Sequence, residues 1–167
     1  MDALLALTTR CSVRAYRPEP VPRDLLEKLV DCGRLAATAR NIQPWEFVVV
    51  TDAAQKRRLA DATDYGRFIA EAPACIVVLC KETKYFLEDG CAATENLLVA
   101  ATALGLGCCW VAGEKKPYVH EILEIVGAPA GHKLISLVPV GYPAETPRLE
   151  KRPLADVLHW ERLDGRG

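Results

Sequence analysis

Two kinds of apolar text alternate along the chain: short β-branched runs, and longer stretches in which apolar positions recur every three or four residues. Asp2 is placed to cap a short helix reaching Leu7, and a polar stretch from Thr8 to Pro20 leads to a second helix opened by Pro22 and Asp24. There Leu25, Leu26, Leu29, Val30 and Leu35 fall on one side, which predicts a buried face. Residues 36–44 break the pattern. Glu46 to Thr51 (EFVVVT) then predicts a buried strand, and Asp52 caps a helix through Ala62.

Pro73 introduces a second strand, ACIVVLC, too short for an ordinary helix and rich in strand formers. Phe86 to Leu104 predicts a long helix stopped by Gly105, and its second half is apolar on so many sides that the helix belongs at the centre. A third strand is predicted for GCCWVAG, Gly107 to Gly113, and a helix for Pro117 to Val126, ended by Gly127. The fourth strand is LISLVPVG, Leu134 to Gly141, where Pro139 argues for an edge position or a bulge. Pro and charge dominate afterwards, so 142–167 is expected to be a C-terminal arm on the surface of a single domain spanning 1–167.

Length and composition fit that picture: 167 residues, 50% hydrophobic and 26% charged, suffice for one core without staples. With 21 basic and 22 acidic residues and a net charge of -1, the chain has no broad cationic face for a phosphate backbone, which excludes nucleic acid as the expected partner. No basic stretch precedes an apolar run at the N-terminus, and no segment approaches the roughly 18 apolar residues of a membrane span, so the expected setting is cytoplasmic. Seven cysteines are an odd count. Cys11, Cys32, Cys75, Cys80 and Cys91 are scattered, while Cys108 and Cys109 are adjacent and would face opposite ways on a strand. That spacing favours reduced thiols acting as small hydrophobes over disulfides or a metal centre.

Four features could carry chemistry. In TRCSVRAY, alternation on an extended segment would put Arg10, Ser12 and Arg14 on one side, where forked guanidinium donors and a hydroxyl suit one phosphomonoester. A solvated basic loop explains the same triplet. In ATARNIQPWEFVVV, the amides of Asn41 and Gln43 can both donate to and accept from the edge of a planar heterocycle. A polar turn closed by Pro44, with Trp45 as core beneath it, is the plainer alternative. A third feature is the late basic cluster Arg148, Lys151 and Arg152, able to return to the phosphate or simply to remain solvated. The fourth is the turn Gly105 to Gly107, with Gly113 beyond, where backbone could approach a ligand or merely end a helix. Neither GxGxxG nor GxxxxGK[ST] occurs.

Taken in order, these segments are similar to the nitroreductase family, whose members commonly show RRSVRxF, PSxxNxQPWxFVVV, an Ala-rich helix ending in GLGxxW, then GYP and a basic pair before PL. Here the counterparts are RCSVRAY, ATARNIQPWEFVVV, ENLLVAATALGLGCCWVAG, GYP at Gly141 to Pro143, and EKRPL, which together span nearly the whole chain. The resemblance implies an α+β fold, a small central mostly antiparallel sheet wrapped by helices, and a homodimer with FMN at each of two interfacial sites. It implies that Arg10, Ser12 and Arg14, with Cys11 beside them, hold the phosphate and approach the pyrimidine side of the ring. Lys151 or Arg152 would close the phosphate pocket. Asn41 and Gln43 would come from the other subunit, Thr38 would add a cofactor-binding hydroxyl, and backbone at Ala112 and Gly113 would face flavin N5.

The activity implied is a ping-pong cycle in which NADH or NADPH supplies hydride through FMN to a nitroaromatic, a quinone or another conjugated electrophile. A cation such as Arg14 near N1 and O2 would favour reduced flavin, and no catalytic side chain is obligatory. Relatives with flavin-fragmenting, dehalogenating or ring-oxidising reactions, and a flavin-binding redox sensor with little turnover, are the rival readings. The chain departs from the family pattern at Ala37 and Thr38, in place of Pro and Ser, at Cys11, and at Leu149 and Glu150 in the basic tail. Tyr65, Arg67 and Phe68, and the segment Tyr85 to Gly90 (YFLEDG), are candidate pocket walls. His120, His132 and His159 match no motif.

Overall fold

A computed structural model describes residues 2–147 and 150–163; Arg148 and Leu149 lie outside the described residues. The helices are α1 (Ala3–Thr9), α2 (Arg23–Arg34), α3 (Ala53–Ala62), α4 (Phe86–Ala103) and α5 (Val119–Ile125). The strands are β1 (Trp45–Val50), β2 (Ala74–Lys81), β3 (Gly107–Cys108), β4 (Val111–Ala112) and β5 (His132–Gly141). The sheet runs β1-β2-β5-β3, with β4 also on β5, and every strand pair is antiparallel. Asp2 caps α1 and Asp52 caps α3 through their carboxylates, as expected of residues that satisfy orphan helix amides.

Strand β2 is buried on both faces, which is why it lacks polar alternation. Ala74, Ile76, Val78 and Cys80 join a core with Leu26 and Leu29 of α2 and Leu97 and Leu98 of α4. Cys75, Val77 and Leu79 join a second core with Leu59 of α3 and Ile122 of α5. Helix α4 is central, packing against both α1 and α2 as well as the sheet. Cys75, Cys80, Cys108 and Cys109 are buried, and burial raises all four thiols, to about 12 for the first three.

Three expectations need correction. Leu35 is not on the buried face of α2: it follows the last turn and is 64% exposed, because the chain there has left the helix that covers the core. Gly107 to Gly113 is not one strand: β3 and β4 are separate pairs, with Cys109 and Trp110 between them. Pro139 is neither at an edge nor at the bulge, because β5 lies inside the sheet and its register shift falls between Val78 and Leu79 of β2. The Pro139 carbonyl accepts from the Cys109 amide at 3.4 Å, and a strand residue directs N and O to the same side. Its missing N–H therefore faces the break between β3 and β4, where no ladder bond is lost.

Candidate functional site

Arg10 ends α1, and residues 11–14 leave it extended beside β3: Ser12 bridges Cys108, and the Val13 amide donates to the Cys108 carbonyl at 2.9 Å. Val13 is buried, whereas Arg14 is exposed. Burial thus alternates at Val13 and Arg14, while Arg10, Cys11 and Ser12 are all half-buried. The side chains of Arg10, Ser12 and Arg14 all act on the buried Cys109 thiol. Burial pushes that thiol up, and the Arg14 guanidinium, the Ser12 side chain and the Arg10 guanidinium pull it back. Cys11 is half-buried. Arg10 sits 3.5 Å from Glu95, and Arg14 lies over the Phe68 ring at 5.9 Å. Tyr65, by contrast, is 86% exposed.

The C-terminal arm begins by pairing with this segment. Tyr16 bridges Pro143, the Ala144 amide donates to the Ala15 carbonyl at 3.0 Å, and Arg17 donates to the Tyr142 carbonyl at 2.8 Å. The Glu145 carboxylate accepts from the amides of Arg14 and Ala15 at 2.8 and 3.2 Å. Glu145 was not singled out from sequence, since nothing in PAETP marks it as a partner of residues 131 and 130 positions earlier. Farther along, Lys151 and Arg152 are exposed, and Arg152 donates to the Asp156 carbonyl of its own turn. Among the described residues no hydrogen bond or ion pair joins either of them to Arg10, Ser12 or Arg14.

The second candidate segment follows α2. Thr38 leads into a tight turn, Ala39–Asn41, and Arg40, Asn41 and Gln43 all have positive φ, at 55°, 57° and 53°. Three such residues so close together are unusual without glycine. Asn41 and Gln43 are exposed, and Trp45 is core beneath them. The Thr38 hydroxyl donates to Asp89 and accepts from the Gln43 amide, so its proton is committed within the protein.

On the far side of β5, the Gly113 amide donates to the Ile135 carbonyl at 3.0 Å. Amides alternate sides along a strand, so the N–H of exposed Ala112 points away from β5 and is the one aimed outward. Gly113 itself is a packing requirement, since a Cβ there would meet Leu134 at 2.5 Å. Gly105, at φ 77° with open space around it, ends α4 and needs no ligand to explain it.

Among the described residues no cluster of three or more His, Cys, Asp or Glu side chains is placed to hold a metal, and no helix is long and apolar enough to cross a membrane. The donor set suits a flavin mononucleotide in kind: two guanidinium groups and a hydroxyl for phosphate, exposed amides for a ring edge, and one outward amide.

Comparison with known proteins places the chain in a family. The model of the Nitroreductase family matches residues 7–79 and 65–142. A protein of Methanothermobacter thermautotrophicus named as an NADH dehydrogenase/NAD(P)H nitroreductase is 32% identical over 97% of this chain and 88% of its own. The NADH dehydrogenase of Thermus thermophilus is 30% identical over 96% of each. A crystal structure of a protein from Desulfovibrio desulfuricans, named as a nitroreductase and bound to FMN, superposes with a TM-score of 0.87 at 29% identity, covering 97% of this chain and 98% of that one.

Proposed function

The chain belongs to the nitroreductase family, and from that premise we propose that it is an FMN-dependent NAD(P)H oxidoreductase passing hydride to a nitroaromatic, quinone or other conjugated electrophile in a ping-pong cycle. The observation that supports this reading most is the extended segment after α1, which carries Arg10, Ser12 and Arg14 at alternate positions around a buried Val13. FMN, when bound, supplies the hydride chemistry. The protein's part is to hold and orient. Arg10, Ser12 and Arg14 bind phosphate, the Arg14 charge favours an anionic ring edge, and the Ala112 amide donates a hydrogen bond without adding a titrating group. Lys151 and Arg152 are candidates to close the phosphate pocket across the arm.

The site is completed by a second copy. Leu4 and Leu7 of α1 are 74% and 54% exposed, and Leu154, Trp160 and Leu163 of the arm are 71–80% exposed. Apolar surface of that extent on both chain ends is what an obligate interface would cover. Asn41 and Gln43, exposed in one copy, are then available to the flavin of the other. A turnover-poor redox sensor draws less support, because four of the seven thiols are buried and held protonated.

The test is direct: purified protein should show flavin absorbance or take up FMN, run as a dimer by light scattering, and bleach when NADH or NADPH is added without oxygen. Absence of flavin after incubation with FMN overturns the reading. Flavin that neither nicotinamide bleaches over many minutes replaces the reductase with the sensor.

A further inference from the structure

Asp89 stands in the first turn of α4 and is only 4% exposed. A carboxylate buried that deeply is costly unless its charge is met. It forms no ion pair among the described residues, so its compensation comes from the α4 N-terminus and two donors. One of its oxygens accepts from the Thr38 hydroxyl at 3.0 Å, and the other from the Ala39 amide at 3.0 Å. The same Thr38 oxygen accepts from the Gln43 amide at 3.1 Å. A single relay therefore runs from the central helix to both ends of the segment carrying Asn41 and Gln43.

That segment has little else to hold it. Its other hydrogen bonds are internal: Asn41 to the Thr38 carbonyl, Ile42 to the Ala39 carbonyl, and the Gln43 side chain to the Asn41 carbonyl. The sheet takes over only at Pro44, whose carbonyl accepts from Lys81. Arg40, Asn41 and Gln43 are meanwhile held at positive φ, a conformation that side-chain-bearing residues leave readily unless the surroundings fix it. Asp89 is the group that fixes it from outside.

Resting on the reading of Asn41 and Gln43 as flavin contacts, we propose that Asp89 is a positioning residue which, through Thr38, locks the 40–43 segment, with Arg40, Asn41 and Gln43 at positive φ, so that both amides meet the edge of the flavin ring. Because the segment addresses the ring and not the phosphate, its loosening costs FMN and riboflavin the same factor. Asp89→Asn keeps the shape but leaves one acceptor oxygen for two donors, so either the Thr38 hydroxyl or the Ala39 amide is turned against an N–H.

The experiment uses the protein as purified, with FMN and riboflavin dissociation constants from flavin fluorescence quenching and apo-protein melting by circular dichroism. Asp89→Asn should weaken both flavins at least tenfold. Thr38→Val, which removes the hydroxyl, should weaken them equally, the double variant should be no worse than either single one, and Thr38→Ser should stay within threefold of the parent. Should Asp89→Asn fail to fold, the Val and Ser variants at position 38 carry the test. If Asp89→Asn and Thr38→Val bind within twofold of the parent while Asn41→Ala loses tenfold or more, the inference falls and the reading of the site stands. If Asn41→Ala and Gln43→Ala also change nothing, the loop is no flavin contact and both fall.

Discussion

The two segments that offer side chains to the proposed flavin are held in opposite ways. Residues 12–17 are pinned by main chain on two sides, to β3 through Ser12 and Val13 and to the arm through Tyr16, Arg17 and Ala15, in ordinary extended geometry. Residues 38–43 are tied from outside by one buried carboxylate and contain three side-chain-bearing residues at positive φ. A ladder spreads its cost over many bonds, so losing one is tolerated; a single relay concentrates it. The phosphate end of the site is accordingly robust and the ring end fragile.

The largest effect that sharpens this contrast comes from the pinned segment's side chains, not its backbone. Arg14→Ala removes a charged donor, and loss of a charge-assisted hydrogen bond costs about 1.5–3 kcal/mol, a factor of roughly 10 to 150 in FMN affinity. Because Arg14 is exposed, the apo-protein should melt at the parent temperature. Titration with FMN and a thermal scan check both halves; a large fall in melting temperature with full flavin affinity would reverse the assignment.

Next comes Tyr16, whose hydroxyl lies 2.6 Å from the Val13 carbonyl and 3.2 Å from that of Pro139. Burial raises this phenol well above its usual range, so it stays protonated and donating. Tyr16→Phe should cost about 1–2 kcal/mol of stability, a drop of roughly 2–8 °C in melting temperature. FMN affinity should move less than about threefold, since the ladder remains, and a tenfold loss would show that the first segment is as fragile as the second.

Glu145 offers a smaller test on the same segment. Glu145→Gln keeps an acceptor for the Arg14 and Ala15 amides but removes its charge, in a solvent-exposed setting. The expected cost is under about 1 kcal/mol, a two- to fivefold change in FMN affinity. Equality with Asp89→Asn in the same titration would erase the contrast between the two carboxylates.

The pinned segment was also the more legible one. Alternation of Arg10, Ser12 and Arg14 around a buried Val13 follows from strand geometry alone, as do the caps at Asp2 and Asp52 and the continuous apolar run of β2. The ring-end loop was legible in its amides and in Trp45 as core, but not in its support. Asp89 lies 51 positions from Thr38 within YFLEDG, which as text suggests only an acidic wall. The split of β3 from β4 was hidden for a related reason: the break depends on Pro139, across the sheet, and no local pattern in GCCWVAG announces it. Long-range side-chain partners leave no periodicity.

The smallest effect probes the thiols beneath each segment. Cys108 lies under the pinned segment, where burial raises it to about 12 against a downward pull from Arg10. Cys80 lies under the loop, where burial and then the Asp89 charge raise it to a similar value. For a group whose folded pKa is raised, stability is complete below the unfolded value near 9 and declines as pH climbs toward 12, because the unfolded chain loses its protons first. At pH 9 half of each unfolded thiol is ionised, which costs about RT ln 2, or roughly 0.4 kcal/mol per thiol relative to pH 7. Buried Lys56, lowered by desolvation, works in the opposite sense and flattens the sum. Urea unfolding at pH 7 and pH 9 of Cys80→Ala and Cys108→Ala should show each losing that share of the pH dependence. In Asp89→Asn both shares should stay, because burial, the larger cause, still keeps Cys80 protonated at pH 9 and each share is set by the unfolded thiol; a shrunken Cys80 share would mean that the Asp89 charge, and not burial, holds that thiol up.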